Sequence, residues 1–152
     1  MTDTQNARAG DLPGTDSALP RLLVIDDDAV HRAIICKIAI RAGFEPVEAA
    51  TLSDVVELMT YNDFEGATVD LSLGEEAGTD VLRHFADRDF RSPIIILSGA
   101  TAEVTRKAHD LGQTLDLTML EAVGKPVDLA ELRNQLSTIA RTWRILQQGN
   151  AA

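Results

Sequence analysis

The sequence predicts a doubly wound α/β domain, in which helices cover both faces of a five-stranded parallel sheet. From Arg21 onward, short apolar runs alternate with amphipathic stretches, the order that strand-helix-strand units produce. The runs are apolar at consecutive positions, as strands buried on both faces require. The stretches between them repeat apolar residues every three or four positions, the spacing of one helix face. The predicted strands are residues 22–25, 46–49, 67–69, 94–97 and, more weakly, 122–123.

A helix is predicted after each strand, and the last one is expected to outlast the sheet. It begins near Asp128, a favourable N-cap. We expect Leu129, Leu132 and Leu136 to pack on the sheet. These leucines form an apolar stripe along the helix. The stripe continues through Ile139, Trp143 and Leu146, which would then form an exposed apolar patch. This predicts a homodimer through the C-terminal helix, the alternative being a helix end that folds back or frays.

One domain is expected over residues 21–137, because 152 residues can bury one sizeable core but not two. Residues 1–20 are polar and broken by glycine and proline, which predicts a flexible tail. Residues 138–152 are expected to form the extension of the last helix and a C-terminal tail.

Composition excludes several classes of function. The 24 acidic residues outnumber the 14 basic ones, and this balance would repel nucleic acid. Cys36 is the only cysteine, so neither an internal disulfide nor a cysteine-based metal site is expected. No apolar run is long enough for a membrane span, and the N-terminus has no signal-peptide pattern. A cytoplasmic protein without a membrane partner is expected.

Four predicted strands end in polar residues that can carry chemistry. The first runs into Asp26 and Asp27, the third into Asp70, the fourth into Ser98 and the fifth into Lys125. In open parallel sheets, ligands bind beyond the carboxyl ends of the strands, so these groups should converge on one crevice. Each signal is weak alone, because strand-ending Asp or Ser residues are often caps or turns. Their combination within one α/β pattern is specific.

The charges in this crevice predict what it binds. Two carboxylates about 4 Å apart repel by roughly 4 kcal/mol at an effective dielectric constant near 20, so a cation must offset the aspartates. An all-oxygen site with few protein ligands suits Mg²⁺. Lys125 supplies a second cation that could contact a developing acyl phosphate, and the Ser98 hydroxyl could hydrogen-bond one of its oxygens.

The motifs LLVIDDD, TVDLSLGEEAG, IIILSGA and GKPVDLAEL resemble the receiver domain of bacterial two-component response regulators over residues 21–137. The resemblance implies a flavodoxin-like fold with strand order 2-1-3-4-5. It also implies a phosphoprotein that catalyses its own phosphorylation and dephosphorylation but does not turn over external substrates. The implied metal is Mg²⁺, which Mn²⁺ could replace, and its implied ligands are Asp26, Asp27, Asp70 and the Ser72 backbone carbonyl. Asp70 is the implied phospho-acceptor. The implied switch or phosphate-binding residues are Ser98, Gly99 and Lys125.

The same resemblance implies partners, and several positions depart from the pattern. A sensor histidine kinase or phosphotransfer protein would supply the phosphoryl group, in a phosphorelay or directly, and an unknown protein target would read the output. Gly74 replaces the usual proline, and Ala122 replaces an aromatic residue that reports movement of the switch hydroxyl. The segment from the fourth predicted helix to the fifth strand is long, and its helix is expected to pass Gly112 and extend through Leu115. These differences predict an unusual output surface.

Two other functions compete with this interpretation. LLVIDDDAV and IIILSG also fit an aspartate-nucleophile phosphatase of the haloacid dehalogenase type, but that family needs a further strand ending in an acidic pair after the lysine. A receiver-like interaction module that is independent of phosphorylation usually lacks one of the acidic or lysine positions, all of which are present. His31, His84 and His109 show no ligand spacing and are interpreted as solvated surface residues.

Overall fold

The computed structural model describes residues 19–71 and 75–150, in which five strands alternate with five helices. Most of the predicted N-terminal tail, together with Ser72 and Gly74, lies outside the described residues. Within the described part, no helix is long and apolar enough to cross a bilayer. The strands are β1 (Arg21–Ile25), β2 (Glu45–Ala49), β3 (Gly66–Asp70), β4 (Ile94–Ser98) and β5 (Val123–Gly124). The helices are α1 (Ala29–Arg41), α2 (Leu52–Tyr61), α3 (Glu75–Asp87), α4 (Ala102–Thr114) and α5 (Leu129–Asn150).

The strands form one parallel sheet in the order β2-β1-β3-β4-β5, which confirms the predicted fold class and strand order. β1 and β3 are neighbours, with Ile25 opposite Val69. β3 and β4 pair with Asp70 opposite Leu97. Every residue of β3 and β4 is buried, as expected of central strands covered on both faces. The residue that follows Ile25 therefore lies beside Asp70 at the carboxyl edge of the sheet.

Helices cover both faces of the sheet. α1 and α5 pack on one face, where Ile35 and Leu132 are fully buried. α2 and α3 pack on the other face through Val55 and Phe85, and α4 covers β4 through Ala108. Each large apolar side chain that is fully buried contributes about 1.5–3 kcal/mol relative to an exposed one. This burial fixes the sheet edge on which the polar residues stand.

The segment between α4 and β5 runs beside β4. α4 continues past Gly112, as expected, and ends at Thr114 rather than Leu115. The chain then pairs with Ile94, whose N–H donates to the Thr118 carbonyl and whose carbonyl accepts from the Leu120 N–H, each at 2.9 Å. These bonds extend the contact beyond the two residues of β5. They help to place the residues after β5 at the carboxyl edge.

The burial of the apolar stripe along α5 differs from the prediction at two positions. Leu132 and Leu136 are fully buried as expected, but Leu129 is 40% exposed and Ile139 only 8%. The reason is that α5 also packs along α1, and Ile139 belongs to the core that they form together. Trp143 is half-buried and Leu146 is exposed. The exposed part of the stripe therefore begins later than predicted.

Candidate functional site at the carboxyl edge of the sheet

Four polar residues stand at the carboxyl ends of neighbouring strands. Asp26 follows β1, Asp70 ends β3, Ser98 ends β4 and Lys125 follows β5. The side chains of Asp26, Asp70 and Ser98 are almost completely buried, with residue exposures of 1%, 0% and 3%. Buried polar residues of this kind are uncommon in cores and mark a site. The topology thus brings together residues that are up to about a hundred positions apart in the chain.

Asp70 forms the centre of the cluster. The Lys125 Nζ atom lies 2.5 Å from Asp70 Oδ2 and donates a charge-assisted hydrogen bond to it. The lysine side chain is 24% exposed and the aspartate side chain is fully buried. Burying an unpaired carboxylate is costly, and an ammonium partner offsets much of that cost. The ammonium group stands where it could also contact a group added to Asp70.

Ser98 connects this cluster to α4. Its hydroxyl oxygen accepts hydrogen bonds from the Ala100 N–H at 3.0 Å and from Thr105 Oγ1 at 2.8 Å. Its carbonyl accepts from the Lys125 N–H at 2.8 Å. A Cβ atom on Gly99 would lie 3.6 Å from the Lys125 side chain, an ordinary van der Waals contact. The Ser98 hydroxyl therefore joins the site to the first turns of α4.

Asp26 is held from several sides. Its Oδ1 accepts from the Asp28 N–H at 2.9 Å, and its backbone carbonyl accepts from Arg32 Nη1 at 2.8 Å. Its Oδ2 contacts His31 Nδ1. Burial raises the pKa of the Asp26 carboxyl above its ordinary value, and the neighbouring Asp70 carboxylate raises it further, while the His31 and Asp28 contacts lower it. A bound cation would relieve this crowding.

His31 belongs to the site, and its interpretation as a solvated surface residue was wrong. Its Nδ1 atom also lies 3.3 Å from Asp70 Oδ2, and its side chain is 22% exposed. The sequence signal was its position, since a residue in the first turn of a helix that follows β1 lies near the carboxyl edge. His84 and His109 are half-buried as well, and His109 Nε2 contacts the Leu120 carbonyl at 3.0 Å.

The remaining predicted ligands are placed differently. Asp27 is exposed, and Asp26, His31 and Asp70 form the group of candidate ligands whose donor atoms lie within 4.8 Å of one another. Asp28 caps α1, because its side chain accepts from the Val30 and His31 N–H groups. Ser72 lies outside the described residues. The roles of Asp27 and Ser72 in metal binding stay predictions.

The donor set fits a divalent cation. Asp26 and Asp70 are buried neighbours, and burial, together with the nearby Asp70 carboxylate, raises the pKa of Asp26. Carboxylate oxygens are the protein ligands that Mg²⁺ takes, with water and phosphoryl oxygens in its remaining positions. Asp26 and Asp70 are thus suited to hold such an ion at the edge of the sheet.

A buried aspartate on β3, a lysine hydrogen-bonded to its carboxylate and a hydroxyl linked to α4 lie at the carboxyl edge of a doubly wound sheet. A sequence model of the response regulator receiver domain matches residues 22–137. The chain therefore belongs to this family, which acts in two-component signal transduction and phosphorelays. Receiver domains generally bind Mg²⁺ in the acidic pocket that Asp26 and Asp70 form here.

Known proteins agree with this assignment. The regulatory protein VirG of Agrobacterium tumefaciens is 27% identical over 123 residues, which cover 81% of this chain and 44% of VirG. The chain thus spans less than half the length of that relative. A response regulator from Colwellia psychrerythraea has a TM-score of 0.72 at 19% identity and covers 82% of this chain and 99% of its own. A response regulator from Burkholderia pseudomallei, with a phosphorylated aspartic acid and a calcium ion, has a TM-score of 0.63 at 21% identity, with coverages of 88% and 75%.

Proposed function

We propose that this chain accepts a phosphoryl group on Asp70 from a phosphohistidine of a sensor histidine kinase or phosphotransfer protein. The observation that carries the proposal is the fully buried Asp70 carboxylate with Lys125 Nζ at 2.5 Å. An Asp70 oxygen would form the new O–P bond while the N–P bond of the phosphohistidine breaks and its electron pair returns to the imidazole. Positioning and charge stabilisation supply most of the catalysis in such a transfer.

The neighbouring residues have defined parts in this reaction. The Lys125 ammonium stabilises negative charge on the acyl phosphate, in the way that fixed cations stabilise developing charge. The Ser98 hydroxyl donates a hydrogen bond to a phosphoryl oxygen. Gly99 leaves the backbone after Ser98 without a side chain that could crowd the phosphoryl group. The hydrogen bond between Lys125 and Asp70 and the position of Ser98 at the end of β4, the strand beside β3, support these proposed roles.

The reaction is proposed to depend on Mg²⁺, with Mn²⁺ able to replace it. Asp26 and Asp70 would hold the ion, together with Asp27 and the Ser72 carbonyl as the family resemblance implies. The bound ion would supply positive charge that offsets the negative charge of the carboxylates and the phosphoryl group. Asp26, in turn, is kept in place by the Asp28 N–H and by Arg32.

The output is proposed to be a conformational change read by a protein partner. Ser98 would turn its hydroxyl toward the phosphoryl group, and this change would alter its hydrogen bond with Thr105 of α4. Because Ala122 stands where an aromatic reporter is common, α4 would carry the change without a rotating ring. The chain would catalyse its own phosphorylation and dephosphorylation rather than turn over external substrates. The match of residues 22–137 to the receiver-domain family weighs against the phosphatase alternative.

Asp70→Asn is expected to abolish phosphorylation by acetyl phosphate in the presence of Mg²⁺. The amide is nearly isosteric with the carboxylate but is not a nucleophile, so the fold should remain intact. Intact-mass spectrometry would show one added phosphoryl group on the wild type and none on the variant. Asp110→Asn, an exposed position on α4, is the matched control and should be modified like the wild type.

Equal phosphorylation of the Asp70→Asn variant would place the acceptor elsewhere and overturn the proposal. Beryllium fluoride with Mg²⁺ distinguishes the alternatives. Stoichiometric binding supports a receiver, and multiple turnover of a phosphate ester supports a phosphatase. Absence of both would support an interaction module that is independent of phosphorylation.

A further inference from the structure

His31 lies at the opening of the carboxylate pair. Its Nδ1 atom contacts Asp26 Oδ2 and lies 3.3 Å from Asp70 Oδ2. The side chain is 22% exposed, so the ring lies between the buried carboxylates and the solvent. The proposed phosphoryl transfer assigns no part to this residue.

We propose that His31 is a protein ligand of the divalent cation and gives the site a preference for Mn²⁺ and related transition-metal ions over Mg²⁺. This inference rests on the proposed function, because it takes the cation site at Asp26 and Asp70 as its starting point. Donor atoms of the three residues all lie within 4.8 Å of one another. Two adjacent ligands of an octahedral ion with bonds of about 2.1 Å lie roughly 3 Å apart. The 3.3 Å between His31 Nδ1 and Asp70 Oδ2 is close to that separation.

The chemistry of the donor atoms gives the selectivity. Mg²⁺ is a hard ion that favours oxygen ligands and releases its waters reluctantly. Imidazole nitrogen suits transition metals such as iron, nickel, copper and zinc, and Mn²⁺ is the first member of the same affinity series. Two carboxylates with one imidazole therefore form a set that favours a transition metal more strongly than two carboxylates alone.

The backbone of His31 is held in the position that a ligand requires. Its N–H donates to Asp28 Oδ1 at 3.3 Å, in the cap that begins α1. The next residue, Arg32, donates to the Asp26 carbonyl and to Glu48, each at 2.8 Å. These bonds fix the first turn of α1 against β1 and β2. The His31 backbone and the hydrogen bonds of Arg32 thus orient the imidazole toward the carboxylates, in the way that surrounding groups orient metal ligands.

His31 could instead serve only as a positive partner for the carboxylates. Lys125 already supplies such a partner to Asp70 at 2.5 Å. The carboxylate group of Asp26 receives an N–H from Asp28 in addition to its contact with His31. The His31 ring nitrogen faces both carboxylates, so a cation bound between Asp26 and Asp70 would have the imidazole within reach as a third donor.

The decisive experiment measures Mn²⁺ and Mg²⁺ affinities by calorimetry and the ¹⁴N coupling of bound Mn²⁺ by electron spin-echo spectroscopy. Wild type, His31→Gln and the control His109→Gln would be compared. We expect directly bound nitrogen in the wild type and the control, and none in His31→Gln. Mn²⁺ affinity should fall about tenfold or more in His31→Gln, the scale on which single ligand-shell changes act, with a much smaller change for Mg²⁺.

Absence of nitrogen coupling in the wild type would overturn the inference, whatever the behaviour of the variant. Equal or tighter Mn²⁺ binding by a folded His31→Gln variant would also overturn it and make His31 only a charge partner. Phosphorylation of Asp70 by acetyl phosphate with Mg²⁺, measured in the same variant, separates the two proposals. If that reaction persists while the metal preference is unchanged, only the His31 inference fails. If the wild type binds neither ion and is not phosphorylated, the proposed function fails with it.

Discussion

Asp26 and Asp70 show how a fold can prepare a site by burying charge. Both carboxylates lose almost all contact with solvent, and at Asp26 the effect of burial outweighs the hydrogen bonds that stabilise the charged form. The strands that end at these residues are adjacent, so neither side chain can move away without leaving the sheet edge. A cation that binds here removes the remaining repulsion between the carboxylates, and this relief adds to the free energy of its binding.

This burial predicts a pH dependence for the metal-free protein. Because burial raises the pKa of Asp26 in the folded state, the folded state holds a proton more tightly than the unfolded chain does. The contribution of Asp26 to the stability of the fold is therefore most favourable below the pKa that its carboxyl has in the unfolded chain. This contribution is lost as pH rises through the pKa of the same group in the folded protein. In EDTA, Asp26→Asn should become increasingly stable relative to the wild type as pH rises over this range.

Thermal unfolding at several pH values would measure this difference, with the exposed Asp87→Asn as the control. The asparagine oxygen can still accept the Asp28 N–H, which keeps that hydrogen bond. If Asp26→Asn were less stable than the wild type at every pH, the contact with His31 would outweigh the effect of burial.

Thr68 offers a second test at a single residue. It lies in β3 with 1% exposure, and its hydroxyl has no hydrogen-bond partner among the described residues. Burying an unpaired hydroxyl costs about 1–3 kcal/mol. Thr68→Val keeps the shape of the side chain and removes the hydroxyl, so it should stabilise the fold by about 1 kcal/mol. Urea denaturation would measure the gain, and a loss of stability would show that the hydroxyl is solvated or bonded.

At the scale of elements, α4 is linked to the proposed phosphorylation site through the hydroxyl of Ser98. Thr101 caps it by accepting the Val104 N–H, and Thr105 donates to Ser98 one turn later. Ala108 and Gly112 are the buried residues of this helix, and Ala108 packs on β4. A helix with few buried contacts opens locally at low free energy. It is therefore well suited to respond to a change at Ser98.

Thr105→Val should weaken this response. Valine has a similar shape but cannot donate to the Ser98 hydroxyl. Beryllium fluoride with Mg²⁺ should then change amide hydrogen exchange in α4 less than it does in the wild type, while its binding at Asp70 is retained. Thr114→Val, at the far end of the same helix, is the matched control. An unchanged α4 response in Thr105→Val would mean that the output leaves the site by another route.

The elements also show what a sequence can predict. The meeting of Asp70 and Lys125 was predictable, because carboxyl ends of parallel strands meet at one edge whatever the details of packing. For His31, only its nearness to the carboxyl edge was predictable. The direction of its ring depends on how α1 is rotated about its axis, which the bonds of Arg32 to Asp26 and Glu48 help to determine. The exposure of Leu129 and the burial of Ile139 likewise depend on the contact between α5 and α1. Such contacts between helices leave no separate signal in the apolar spacing.

For the whole molecule, the two ends of the sheet carry different kinds of surface. The carboxyl edge holds the charged site. Near the other end of β4, a groove of about 610 Å³ lies against the later turns of α5. Pro93, Leu120, Trp143 and Leu146 are among the residues that line it. A surface of this composition is suited to an apolar partner and is separate from the proposed phosphorylation site.

The groove bears on the predicted homodimer through the C-terminal helix. Leu146 is 61% exposed at its rim, and Trp143 is half-buried within it. Ile145 is equally exposed but does not line the groove. A pair of α5 helices that place Leu146 in the groove of the partner subunit would bury apolar surface on both chains, in the two-fold arrangement that most dimers adopt.

Leu146→Glu should therefore weaken the dimer, and Ile145→Glu, with the same charge on the same helix, should weaken it much less. Fully burying a leucine contributes about 1.5–3 kcal/mol, so the loss should raise the dissociation constant at least about tenfold. Light scattering over a concentration series, with and without beryllium fluoride, would measure both variants and the wild type. A wild type that stays monomeric at tens of micromolar in both states would contradict the dimer. Equal weakening by the two substitutions would instead show that added charge, rather than occupancy of the groove by Leu146, separates the subunits.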